Sequence, residues 1–323
     1  MAWNRVVEVL LGVDLTDPMQ VIDVSGLDIS GKVVRSNRMI ENKAELTIYG
    51  ASESTRNQIS EEGKSCIIRL GYEDEGVGTV FIGQVDHATS HHVGPEVVTK
   101  VVAVAVRSVD FRFGSTPFAV SVPPGGKLAT VLESLALVLG IGILGSQNAA
   151  ITLPNGYTFA GASRDALTYC DKILRSHGCG LHVDLGELVV YKAGGAVSEF
   201  DVLYLTPETG LLSAEPVEDN AKEARQLAKT EARLAQARKR STDAGTAKQK
   251  AAATQTLLKE QRKEQELLRK QAKLRALINH IARPNGLAQV ESEQVTGPFV
   301  IDQVEFRFDN MAKEFEMELE VSA

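Results

Sequence analysis

Three short stretches carry residue types that could do chemistry. "GIGILG" at 140–145 has GxGxxG spacing, and Asp165 lies 20 residues beyond its last glycine. Dinucleotide binding needs such glycines to follow a strand and open a helix, so that amide N–H groups and the helix dipole point at the pyrophosphate. Here they follow an apolar run with helical spacing and lead into "SQNAAITLPNG", so Gly140 reads as a helix stop. His87, His91 and His92 in "DHATSHHVG" offer imidazoles to a metal, but no Cys or acidic residue completes a ligand set at recognisable spacing. Cys179 and His177 could form a thiol–imidazole pair, yet two residues apart on a helix-to-strand turn they do not face each other reliably.

No GxSxG, HExxH or phosphate-binding P-loop appears in a suitable context. The two carboxylates of a glycosidase need not be close in sequence. With one Trp and 5% aromatic residues, however, the chain is poor in the platforms that sugar clefts use. No catalytic, cofactor-binding or metal-ligating residue is assigned, and the chain reads as a non-enzyme without a cofactor.

The elements that would position any site are mostly strands. "AELTIYG" (44–50), "SCIIRLGY" (65–72), "TVFIGQVDHA" (79–88) and "EVVTKVVAVAVR" (96–107) are rich in β-branched residues and bounded by Gly, Asn and Asp. The last of these is apolar on both faces, which predicts a central strand. "MAWNRVVEVLLGVDL" reads as a first strand. Leu128, Val131, Leu132, Leu135 and Leu139 have helical spacing, and "SRDALTYCDKILRSHG" predicts a second helix with Ser163 as N-cap and Gly178 as stop. "GLHVDLGELVVYKAG" predicts a hairpin turning near Leu185 and Gly186. The chain closes with a hairpin: Phe299, Ile301, Val304, Phe306 and Phe308 alternate, Asp309 and Asn310 turn, and Phe315 to Val321 return.

Between Val217 and Arg283 the composition changes to Ala, Lys, Arg, Glu, Gln and Leu, with no aromatic residue. Propensity predicts helix, with Asp219 as a cap and Pro284, Asn285 and Gly286 as the end. One straight helix of about 65 residues would separate its ends by about 95 Å. A fold-back at "STDAGT" (241–246) would bring them together. Leu267, Leu274 and Ile281 are seven apart, with Leu277 and Ile278 on the adjoining stripe, which predicts a coiled-coil-like packing surface for the body or a partner. A solvated helical spacer is the alternative.

The fold class expected is therefore mixed, β-rich α+β. Its parts are a first β-barrel at 1–116, an α/β module of two helices and a hairpin at 117–200, a discontinuous second β-barrel at 201–216 and 284–323, and a helical hairpin at 217–283.

Bulk properties narrow the function. A chain of 323 residues, 43% apolar and 24% charged, can bury real cores. Net charge is −7, but 217–283 holds 17 Lys and Arg against 8 Asp and Glu, so it carries +9 and the remainder −16. An acidic body argues against coating nucleic acid, which needs basic surface to displace counterions. Cys66, Cys170 and Cys179 are dispersed and without CxxC spacing, which predicts free thiols rather than a disulfide scaffold. The longest apolar run, "LALVLGIGIL" (135–144), is about half of what a spanning helix requires.

The order of the early segments resembles the baseplate hub proteins of tailed bacteriophages, which adapt tail tube to spike. A strand, an Asn-containing turn, an "IYNLS"-like stretch, a strand ending in Gly-Tyr and a strand with Phe and Gly recur there in this order. The corresponding residues here are Asn42 and Ala44, Ile48 and Tyr49, Ser54 and Thr55, Gly71 and Tyr72, and Phe81, Gly83 and Val85, with "IYGAS" in place of "IYNLS". "TFAGASRDALTYCDKILRSHGCGLHVDLGELVVYKAG" resembles the family's loop, helix and hairpin module, and "LTPETGLLSAEPV" its strand-ending stretch. The resemblance covers about 1–216 and 284–323, leaving 217–283 as an insertion.

The resemblance implies a homotrimer whose six barrels make a pseudo-sixfold ring in the tail baseplate of a virion. Implied partners are the tail tube protein, the central spike protein and, through 217–283, a baseplate wedge or tape-measure protein. DNA would cross the lumen without specific binding. The partner-packing stripe would be Leu267, Leu274, Leu277, Ile278 and Ile281. Three alternatives stay open: the equivalent hub of a contractile injection machine, a tail-associated cell-wall hydrolase, and a basic-helix nucleic-acid binder.

Overall fold

The structure is a computed structural model of the chain that describes residues 4–12, 21–37, 42–59, 64–105, 116–217, 271–311 and 314–323. The first part runs β1 (Arg5–Gly12), β2 (Val21–Asp23), β3 (Asp28–Ser36), β4 (Lys43–Tyr49), a short helix α1 (Glu53–Ile59), β5 (Ser65–Tyr72), β6 (Gly76–Val93) and β7 (Glu96–Ala105). Alternation does the expected work: Ala44, Leu46 and Ile48 of β4, and Cys66, Ile68 and Leu70 of β5, are buried. The predicted central strand lies between β4 and β6. Thr99, Val101, Ala103 and Ala105 of β7 face the core, whereas Val102 and Val104 on its other face are half-buried.

The middle part runs β8 (Pro117–Val122), α2 (Leu128–Leu139), β9 (Gly142–Leu144), β10 (Tyr157–Ala162), α3 (Ser163–Ser176), β11 (Cys179–Asp184) and β12 (Glu187–Lys192). Leu128, Val131, Leu132, Leu135 and Leu139 form the buried face of α2, which ends at Gly140 in the left-handed region at φ 67°. The cap of α3 differs from expectation by one residue: Ala162 is the N-cap, and Ser163 is the first helical residue, buried against the module. Leu185 (φ 48°) and Gly186 (φ 77°) make the two-residue turn between β11 and β12, where both central residues need positive φ.

The last part runs β13 (Leu203–Leu205), β14 (Leu211–Pro216), β15 (Gln271–Leu277), β16 (Leu287–Glu291), β17 (Thr296–Asp309) and β18 (Phe315–Ser322). β17 is the seam of the molecule. It pairs antiparallel with β18 on one side and with β3 on the other, from Gln303 opposite Ser36 to Asp309 opposite Ser30. The first and last parts thereby form one 13-stranded sheet in the order β14-β15-β18-β17-β3-β4-β7-β6-β5-β1-β2, with β13 and β16 branching from β17.

The expected fold class is corrected on two points. In place of two separate barrels there is one continuous, largely antiparallel sheet, because β17 and β3 complete each other's hydrogen bonds. Among the described residues there is no long helical hairpin or coiled coil: the α-helices have 7, 12 and 14 residues. Residues 271–277, expected as the end of the second helical arm, are strand β15, with burial alternating through Ala272, Leu274 and Ala276. Helix-forming residue types there conceal a period of two, and the ladders to β14 and β18 override propensity. Of the expected insertion, residues 218–270 lie outside the described residues, and 278–283 form the turn region after β15.

Candidate functional site

The stretches with chemical potential do not assemble into a reactive centre. Gly140 ends α2 and Gly142 opens β9, so "GIGILG" does not open a phosphate-cradling helix. His87, His91 and His92 are exposed along β6, opposite Val102, Val98 and Val97 of β7, and His87 Nδ1 lies 2.8 Å from Asp86 Oδ2. Among the described residues no three His, Cys, Asp or Glu side chains gather as a metal site. Cys179 is buried with Sγ 3.5 Å from the Asn148 carbonyl, while the exposed His177 ring bonds near Ser176 and Ile173. Burial pushes the Cys66 and Cys170 thiols up to about 12, which makes them inert at neutral pH.

The expected packing stripe is dispersed. Leu274 (1% exposed) and Ile278 (3%) belong to the core of the β-sheet, and Ile281 packs against that core. Leu277 is half-buried, and Leu267 lies outside the described residues. The four described members line a strand and the turn after it rather than one helical face.

The most organised polar site was not predicted. Asp184, at the end of β11, is fully enclosed where the α/β module meets the sheet. Arg35, at the end of β3, donates from Nε to Oδ1 at 2.9 Å and from Nη2 to Oδ2 at 2.6 Å. Arg283, in the stretch between β15 and β16, donates from Nε to Oδ2 at 3.0 Å and from Nη2 to Glu187 Oε2 at 2.8 Å. Its guanidinium lies 4.2 Å from the centroid of the Phe200 ring. Burial alone would push the Asp184 carboxyl up; the charge and hydrogen bonds of Arg35, then the charge of Arg283, outweigh it and hold the group at about 2. Such a bidentate pair fixes orientation as well as charge. Sequence reasoning missed it because positions 35, 184 and 283 share no local pattern, and Asp184 beside Leu185-Gly186 looks like an ordinary turn residue.

Two surfaces stand out. On the face of the sheet away from the core, charges alternate between strands: Lys32 to Glu305 (2.8 Å), Arg307 to Glu305 (2.8 Å) and Glu318 (3.4 Å), and Arg275 to Glu316 (2.6 Å). On the module, Leu137 (82% exposed), Val138 (47%) and Tyr169 (47%) place apolar side chains in solvent. No described helix is long and apolar enough to cross a membrane.

No protein-family model and no curated protein matches the sequence. The fold is similar to that of a tail protein from Neisseria meningitidis MC58, with TM-score 0.64 at 13% identity over 99% of this chain and 97% of that one. It is also similar to the 43 kDa tail protein of prophage MuSo2 from Shewanella oneidensis, with TM-score 0.59 at 13% identity over 98% and 97%. A third similar structure is the E. coli c3393 protein, a type VI secretion component described as structurally similar to the T4 bacteriophage tail proteins gp27 and gp5. It matches with TM-score 0.54 at 8% identity over 91% of this chain and 73% of that one.

Proposed function

We propose that this chain is a structural protein of a bacteriophage tail, and within the tail the baseplate hub that joins tube to spike. The observation that carries the reading is fold similarity along nearly the whole chain to two tail proteins, each 97% covered. In this reading three copies form a ring in which the first and last β parts act as six similar sectors. The β17–β3 seam is the intramolecular version of the strand pairing that would continue between copies, at the end strands β2 and β14. The tail tube protein and the central spike are its partners, a wedge or tape-measure protein engages residues 218–270, and DNA crosses the lumen unbound. A net charge of −7 and the balanced charge ladder suit a wall that must not retain DNA.

The c3393 similarity favours one second reading, the equivalent hub of a type VI injection machine. Both are assembly roles without catalysis. Negative-stain electron microscopy of the purified chain, alone and with its tube and spike proteins, tests the ring. Threefold particles with a central opening are expected. A chain that stays monomeric in both samples overturns the hub assignment, and co-assembly with type VI components instead of phage proteins selects the second reading.

A further inference from the structure

The module and the sheet have separate apolar cores that share no residue. One is built on Leu128, Leu132, Leu135, Leu174 and Leu188, the other on Ile48, Ile68, Leu274, Phe306 and Phe308. The hydrogen bonds that join them centre on one carboxylate. Asp184 binds Arg35 of the first β part and Arg283 of the last part with the same carboxylate. Arg35 Nη1 also donates to the Ala282 carbonyl at 3.3 Å, closing a triangle among three regions. Around it, Tyr191 Oη donates to the Asn37 carbonyl at 3.1 Å, Asn42 Nδ2 to the Val183 carbonyl at 3.5 Å, and the Val197 amide to the Asn285 carbonyl at 2.9 Å.

We propose that this ion cluster is a releasable latch: Asp184 sets the angle of the α/β module on the sheet, and loss of its charge lets the module swing as a folded unit. Polar joints between separately cored regions permit relative motion, unlike shared apolar cores. Removing the carboxylate leaves two guanidinium groups converging on one neutral point, with Glu187 and the Ala282 carbonyl as remaining acceptors. Their repulsion opens the joint, because buried charges tolerate pairing but not isolation. Neither core loses an apolar contact, since Asp184 belongs to neither. The latch stands whether or not the tail assignment does, because it concerns only the chain's own joint.

Hydrogen exchange on the full chain tests it, comparing the native protein with Asp184→Asn, which keeps the side chain's shape. The Val197 and Phe200 amides, beside the joint, are expected to exchange at least tenfold faster, while Leu132 in α2 and Phe306 in β17 keep their protection. Unchanged exchange at the joint overturns the latch, and so does equal acceleration in both cores, which would make the molecule one cooperative unit. If Asp184→Asn does not fold, Arg283→Ala, at a side chain 18% exposed, cuts the carboxylate's tie to the last part alone and is expected to speed exchange of the Val197 amide, which bonds Asn285, with both cores keeping their protection. Failure of both variants to fold also overturns the proposal.

Discussion

The sheet and the α/β module bury apolar surface by opposite means. The module is local: its helices and strands draw on one continuous stretch from Pro117 to Lys192, and its core is mainly aliphatic, with Phe118, Cys170 and Cys179 among the buried side chains. The sheet is non-local. Its seam joins β3 to β17 across most of the chain, and the Asn310 side chain bonds both the Ile29 amide (2.8 Å) and the Leu27 carbonyl (2.7 Å) to hold the register. Locally built regions can keep their order when a distant part fails, whereas a sheet closed by distant strands fails as a whole.

The strongest way to break this comparison is Phe306→Ala in β17, a fully buried ring at the seam. It should cost about 3–5 kcal/mol, measured by chemical unfolding with exchange read in both regions. Simultaneous loss of α2 protection would show that the regions are not independent. Leu132→Ala is the mirror experiment, expected at about 2–5 kcal/mol with the damage confined to the module. Leu274→Ser should cost a similar amount, because the side chain is 1% exposed in the sheet core. Native stability in that variant would return Leu274 to the role of a partner contact.

A smaller effect sharpens the joint between the regions. The Asp184 carboxyl is held at about 2, below the ordinary 3.8, so its contribution is present above about pH 4 and is lost as pH falls toward 2. Stability should fall by roughly 2 kcal/mol across that window beyond the loss seen in Asp184→Asn. Matching pH profiles would show that the carboxylate gains nothing from its two guanidinium partners. The smallest effect is expected for Arg307→Ala, about 0.2–1 kcal/mol and weaker in high salt, because its side chain is 38% exposed. Glu305 and Glu318 face each other across β17 and β18 with Arg307 between them, so a larger loss would show that their repulsion is poorly screened.

Much of the architecture was legible where one period dominates. β4 and β5, the buried face of α2, the Leu185-Gly186 turn and the closing hairpin follow from alternation, helical spacing or turn chemistry. β15 was not legible, since Gln271, Ala272, Lys273, Leu274, Arg275 and Ala276 suit a helix by type and a strand by order. Only the neighbours β14 and β18, remote in sequence, decide between them. The candidate site was hidden for a related reason. A buried carboxylate advertises itself through what surrounds it, and Arg35 and Arg283 come from opposite ends of the chain.

The β14–β15 pair has a consequence for how such a chain can change. Pro216 lies opposite Ala272, and the Val217 amide donates to the Gln271 carbonyl at 2.9 Å, so residues 218–270 depart and return through one gate. The sheet needs only that the gate close, and a closing loop gains about 0.6 kcal/mol of cost for each doubling of its length. The gate is therefore a graft site: a tight turn, or an unrelated domain whose ends meet, could replace the whole excursion while the ladder on either side keeps its register.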